Sequence, residues 1–236
     1  MAMEWTKTKK KAITFSFDDG VIQDINLINL LDKYGLKATF NLNSELLGQR
    51  GMLSCGDNPI CHYKMHPEDV KRIYQNHEVA VHTLTHPKLT TIEDDAEVIR
   101  QVEQDRLNLS ALVGYEVVGM AYPCGGVNND ERVVRLIREN TGVKYCRTVV
   151  STKGFDVQEN LYQFNPSAYT NRMDETMEVA RRFLELEAEE PQILYIWGHA
   201  YEFDYRPECW VRLEELFKLV SHRDDIFYGT NKEVLL

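Results

Sequence analysis

Two adjacent carboxylates, Asp18 and Asp19, end the largely apolar run Ile13-Thr14-Phe15-Ser16-Phe17 and lead into Gly20, where the chain must turn. Two imidazoles four residues apart, His82 and His86, follow a second apolar run that ends at Val81. Side-by-side carboxylates repel unless a cation intervenes, and a nearby imidazole pair supplies further ligands for one. Carboxylate plus imidazole is borderline-hard ligation, suited to zinc first and also to cobalt, nickel, manganese or ferrous iron. An ion held by three protein groups keeps positions open for water and substrate, and one carboxylate is left over to move a proton. Pro87 disfavours helical geometry at His86, which places the histidine pair on a strand end and loop. Alone, each half has an ordinary reading, as an Asp-Gly turn or as unrelated surface histidines.

The elements that must position these groups alternate along the chain. Strands are predicted at Ala12–Phe17, Ala38–Asn43, Glu78–Val81, Val117–Tyr122, Lys144–Val150, Ile193–Trp197 and Ile226–Tyr228. Between them the apolar spacing predicts helices over Asp24–Tyr34, Pro67–Gln75, Ile92–Val113 with Thr91 and Asp94 as a capping pair, Asp130–Asn140, Arg172–Ala188 and Glu208–Val220. Strand–helix alternation implies parallel strands, either in an open doubly wound sheet or in a barrel. No glycine-rich dinucleotide or phosphate loop follows the first strand, so the nucleotide-binding sheets are disfavoured. About seven parallel strands suit a distorted, incomplete (β/α) barrel forming one domain over residues 1–236. In such folds the site gathers at the carboxyl ends of the strands. Asp18, Asp19, His82, His86, Cys124, Arg147 and His199 all fall at or near that end.

Composition narrows the partners. The 236 residues carry 37 acidic against 27 basic groups, a formal charge of −10, which repels nucleic-acid backbones and anionic membranes. No apolar stretch approaches the roughly 20 residues needed to span a bilayer. The polar, basic start from Met1 to Lys11 lacks the apolar centre of a signal peptide, which favours a cytoplasmic setting. Five cysteines, an odd count without a C-x-x-C pair, favour a reducing compartment over a disulfide framework. The stretch from Cys55 to His66, with Cys61 and His62, reads as a solvated loop. Trp197, Tyr201, Phe203, Tyr205 and Trp210 crowd around His199, where aromatic faces would suit sugar rings. Nothing in the sequence specifies an oligomeric state.

The segments Thr14-Phe15-Ser16-Phe17-Asp18-Asp19-Gly20, His82-Thr83-Leu84-Thr85-His86, Tyr122-Pro123-Cys124-Gly125 and Ile193 to His199 occur in an order that resembles the polysaccharide deacetylases of carbohydrate esterase family four, the NodB-homology domain. The resemblance implies metal-dependent removal of an N- or O-acetyl group from a sugar. It implies Asp18 as general base, Asp19, His82 and His86 as metal ligands, and the backbone N–H of Cys124 as a donor to the tetrahedral oxyanion. His199 would protonate the leaving amine or alcohol, with Leu194 or Ile196 packed around the acetyl methyl. Tyr122, Trp197 and Tyr201 would line the carbohydrate site. The family's third motif has an arginine two residues before its proline, where this chain has Ala121. Arg147, on the next strand, is the expected replacement, and Glu202 or Asp204 the expected neighbour of His199 in place of an unmatched fourth motif. The competing readings are hydrolysis of a non-sugar amide or cyclic imide, and a catalytically inert carbohydrate-binding protein.

Overall fold

The computed structural model describes residues 3–55 and 58–236, with the side chains of Cys55 and Asn58 outside that description. After a short 3₁₀ turn at Glu4–Lys7, the chain runs β1 (Lys11–Asp18), α1 (Asp24–Lys33), β2 (Ala38–Leu42), then the hairpin β3 (Met52–Cys55) and β4 (Asn58–Cys61). It continues α2 (Pro67–Ile73), β5 (Glu78–Val81), α3 (Asp95–Val113), β6 (Gly119–Ala121), α4 (Glu131–Asn140), β7 (Tyr145–Arg147) and β8 (Ala168–Tyr169). The last third is α5 (Met173–Glu185), β9 (Gln192–His199), α6 (Pro207–Val220), β10 (Ile226–Tyr228) and α7 (Asn231–Leu235).

Eight strands form one parallel sheet in the order β7-β6-β5-β2-β1-β9-β8, with β10 added to β1. The strands follow one another around the ring in chain order, from β1 through β2, β5, β6 and β7 and back through β8 and β9. The seam between β7 and β8 is crossed by a parallel bridge between Arg147 and Phe164 and by backbone bonds from Thr152 and Lys153 to Pro166 and Ser167. This is an α/β fold, an open and distorted (β/α) barrel. Seven of its strands match the predicted ones. The eighth, β8, is two residues long, and β7 stops at Arg147 rather than Val150. The α3 N-cap is Asp94, whose carboxylate accepts from Ala96 N at 2.9 Å, while Thr91 belongs to a separate 3₁₀ turn.

Alternation along the strands divides two environments. Ile13, Phe15 and Phe17 of β1 join the large apolar cluster packed under the helices, with Leu27, Leu31, Leu213 and Phe217. Thr14, Ser16 and Asp18 face the other way and meet polar partners: Asn231 at 2.8 Å for Thr14, and Asn41 at 2.8 Å for both Ser16 and Asp18. Below them, Glu78 accepts from Thr39 Oγ1 at 2.7 Å and Tyr145 OH at 2.9 Å, and Asn231 N donates to Thr39 Oγ1 at 2.8 Å. The barrel axis is therefore a hydrogen-bonded column rather than an oily one, and every polar group in it needs its partner. Trp5, Tyr195, Val234 and Leu235 close its lower end.

Candidate active site

The carboxyl ends of β1, β5, β6, β7 and β9 converge on a cavity of about 430 Å³ lined by Asp18, Asp19, His82, His86, Cys124 and His199, among others. Backbone strain marks the loops that carry these groups. Asp19, Thr83, His86 and Cys124 have φ of 82°, 67°, 60° and 66°, a left-handed region that non-glycine residues seldom adopt. Gly20, at φ 59°, completes the turn after β1, and a Cβ there would lie 2.5 Å from Leu42 Cδ2. Glycine is required at that position.

Asp18 is the last residue of β1, 2 % exposed. Its Oδ2 accepts from Arg147 Nη2 at 2.5 Å and lies 3.9 Å from both His82 Nε2 and His199 Nε2. Its Oδ1 accepts from Asn41 Nδ2 at 2.8 Å. Burial pushes this carboxyl upward, but Arg147 and the two imidazoles outweigh it and hold the group below its usual range. The guanidinium of Arg147 is fully buried and lies 4.3 Å over the Trp197 ring, which fixes it in place. Arg147, expected in place of the arginine missing at Ala121, is thus in direct contact with Asp18.

Asp19, His82 and His86 place one ligand atom each within 4.8 Å of one another. A backbone carbonyl can only accept, so His82 Nδ1 donates to Ala121 O at 2.9 Å and leaves the Nε2 lone pair facing the carboxylates. Around it, the Asp105 carboxylate accepts from His82 N at 3.2 Å, and Asn43 Nδ2 donates to His82 O at 2.5 Å. His86 is held by its own N–H donating to Thr83 Oγ1 at 3.1 Å. Burial depresses His82 to about 4 and lowers His86, so both rings are neutral near pH 7. Asp19 stays ionised well below its usual range despite burial, because of His62 and Lys64. One ionised carboxylate and two neutral imidazoles are the protonation states that a divalent cation requires. The donor set fits such an ion.

On the far side, His199 Nδ1 lies 3.4 Å from Glu202 Oε1 and 3.4 Å from Tyr169 OH. Tyr169 OH and Asn171 Nδ2 both donate to that Glu202 oxygen. Burial alone would depress His199, but the Glu202 hydrogen bond and charge, with Asp18, raise it above its ordinary value. Asp204 is occupied elsewhere, accepting from Gln23 Nε2 and Trp210 Nε1 at 2.8 Å each. Glu202, not Asp204, is the carboxylate beside His199.

The aromatic residues divide. Trp197 lines the cavity and stacks on Tyr169 with centroids 4.1 Å apart, and Tyr201 lies 5.0 Å from the His199 ring. Tyr122 is also on the wall, but its hydroxyl donates to Tyr162 O at 2.9 Å, so it presents ring surface only. Phe203 packs in the core against Trp210 and Phe17, away from the cavity. Leu194 and Ile196 belong to the helix-facing side of β9 and do not line the cavity. The apolar wall is Val149 with Trp197 and Tyr169. Cys124 Sγ sits 3.8 Å from His86 Nδ1, and burial raises its thiol, which disfavours a nucleophilic thiolate.

The stretch read as a solvated loop is instead part of this site. His62 Nε2 lies 3.4 Å from Asp19 Oδ2, and Lys64 Nζ donates to Asp19 Oδ1 at 3.0 Å. Cys55 lies outside the described side chains, and Cys61 contributes its carbonyl, which accepts from Gln23 Nε2 at 2.8 Å. Tyr169 was likewise unforeseen, since no sequence spacing ties it to His199.

A family model for polysaccharide deacetylases matches residues 6–146, more than half of the chain. Comparison with curated proteins finds no match. Among solved structures, a Bacillus anthracis pseudoenzyme of carbohydrate esterase family four is similar at 17% identity and TM-score 0.58, over 97% of this chain and 66% of its own. Peptidoglycan deacetylase PdaC from Bacillus subtilis gives 19% identity and TM-score 0.57, covering 96% and 90%. A Streptococcus pyogenes deacetylase, PplD, in complex with acetate gives 21% identity and TM-score 0.51 over 64% of this chain and 61% of its own. This chain thus spans less than two thirds of the length of two of these three proteins. At these identities the structures establish a shared fold, and the family model, covering β1 to Cys146, places this chain in the polysaccharide deacetylase family.

Proposed function

We propose that this protein removes acetyl groups, N-acetyl foremost, from a polysaccharide or oligosaccharide, with a divalent metal, zinc first, held by Asp19, His82 and His86. The observation that carries this reading is the division of labour between two neighbouring carboxylates. Asp19 sits in the cluster with both histidines, whereas Asp18 is held by Arg147 at 2.5 Å and faces His199 across the same cavity. A bound divalent ion would acidify a water and polarise the acetyl carbonyl.

The chain's own groups supply the rest. Asp18, kept ionised by Arg147, accepts the proton of the attacking water. The backbone N–H of Cys124 hydrogen-bonds the oxygen that gains charge on the acetyl carbon. His199, on the other side of Asp18 and backed by Glu202, delivers a proton to the departing nitrogen or oxygen. Trp197 and Tyr169 form an apolar face beside it, with Tyr122 and Tyr201 completing the walls against the sugar. Similarity to a peptidoglycan deacetylase and to a deacetylase solved with acetate supports this class of reaction. The similar pseudoenzyme makes the side chains, not the fold, the deciding matter. The case for a non-sugar amide or imide rested on the alanine at position 121, and the contact of Arg147 with Asp18 weakens it.

The test is acetate release from a panel of acetylated oligosaccharides and small amides, with zinc-loaded and chelator-stripped protein. Release from oligosaccharides that vanishes on chelation and returns with zinc is expected. Arg147→Ala should lower turnover by about 10²–10⁴-fold, the range for a positioned proton-transfer group, with zinc content retained. Acetate release indifferent to chelation, or no release from any glycan, would refute the proposal.

A further inference from the structure

Lys64 is 7 % exposed and reaches Asp19 from outside every motif. Its ammonium donates to Asp19 Oδ1 at 3.0 Å, to Asp19 O at 2.8 Å and to Asn43 Oδ1 at 3.3 Å. The same Oδ1 lies 3.8 Å from His86 Nε2, so the cation stands on the oxygen that faces this histidine. Its position is built into the backbone. Lys64 N donates to Gln49 O at 2.9 Å, Met65 N to Gly20 O at 2.7 Å, and Ile22 N to Tyr63 O at 2.8 Å, stitching the strand after the β3–β4 hairpin to the turn that carries Asp19.

We infer that Lys64 is a resident counter-cation that competes with the metal for Asp19. The inference rests on the metal-dependent reading above. Asp18 and Asp19 each have their own cation, Arg147 and Lys64, so this pair of carboxylates is charge-balanced before any metal arrives. A divalent ion bound by Asp19 either shares that carboxylate with the ammonium or displaces it. Both are unfavourable in a site screened from water. Lys64 therefore weakens the hold on the ion and keeps the metal-free chain folded with Asp19 compensated.

The experiment is a zinc titration of the full chain against a chromophoric chelator at fixed pH, with thermal melts in chelator and in zinc. Lys64→Met and Lys64→Gln are compared with the unsubstituted protein, and His86→Ala serves as the ligand-deficient control. Both Lys64 variants should bind zinc at least about tenfold more tightly, because a like charge has been removed from a buried site. In chelator they should melt lower, and zinc should raise their melting temperature by more than it raises that of the unsubstituted protein. A variant that folds only with zinc supports the inference, and back-titration with chelator then gives its affinity. Equal or weaker zinc binding by folded Lys64 variants, beside an unsubstituted protein that binds zinc through His86, would overturn it and leave the proposed function standing. Absence of zinc binding in every protein would remove the metal site itself and both proposals with it.

Discussion

Glu202 governs how long His199 stays protonated as pH rises. Burial disfavours the imidazolium, and the Glu202 hydrogen bond and charge more than offset this, leaving a net rise. A raised histidine contributes stability that is complete below its unfolded value and fades as pH climbs through its folded value. The same rise extends the pH range in which His199 can act as an acid. Glu202→Gln should therefore move the alkaline limb of the kcat profile to lower pH, with acid-side kcat much less affected; an unmoved limb would exclude this role. Sequence made the ends of this apparatus legible, since Asp18, Asp19, His82, His86 and His199 lie in compact motifs at strand ends. It hid Lys64, whose carboxylate partner is 45 residues away, and Tyr169, 33 residues before Glu202. No periodicity connects such pairs, because tertiary contacts bring them together: backbone bonds from residues 63–65 to the turn after β1, and the pairing of β8 with β9.

Helix α1 holds an acid whose environment works against it. Asp24 is fully buried and receives Tyr74 OH on Oδ2 at 2.6 Å, while its Oδ1 has no hydrogen-bond partner among the described residues. Burial raises this carboxyl to about 8. For an acid raised in the folded state, the folded form binds more protons, so stability falls as pH rises from the unfolded value toward 8. Asp24→Asn keeps an acceptor for Tyr74 and removes that dependence. Its gain in unfolding free energy over the unsubstituted protein, followed by denaturant titration, should grow from pH 4 to pH 8 and level off above, reaching roughly 1–3 kcal/mol, the worth of a buried unsatisfied polar group. A pH-independent difference would contradict the assignment. At this scale the strands buried on both faces and the capped helices were readable from apolar runs and their punctuation. β8 was not, because two residues carry no pattern. The β3–β4 hairpin reads as a loop in the sequence because its mixed polar residues show no clean alternation.

Across the whole molecule, the two terminal segments meet under the barrel. Trp5 is 3 % exposed and donates through Nε1 to Val234 O at 2.9 Å, and α7 plugs the polar column through Asn231. Trp5→Ala removes a large buried ring and a hydrogen bond, and should destabilise by about 3–5 kcal/mol. Each kcal/mol lowers Tm by roughly 2–4 °C in a chain of this size. Zinc affinity at 25 °C should not change, since the site lies at the other end of the strands; a parallel loss of affinity would show that the two ends are coupled. The polar, basic opening gave no hint of this role, as the tryptophan's partner is 229 residues distant. No helix among the described residues is long and apolar enough to cross a membrane.

The order of strands around the ring has a consequence for when the protein becomes reactive. Asp18 stands where the first strand meets β9, so it borders residues from both extremities of the chain. The segment recognised by the family model, 6–146, contains Asp19, His82 and His86 and stops one residue short of the guanidinium that holds Asp18. A fragment ending at residue 146 would hold Asp18, Asp19, His82 and His86 but lack both Arg147 and His199. Under the proposed function, hydrolysis would wait for the circle to close, and acetate release would then report on completed folding.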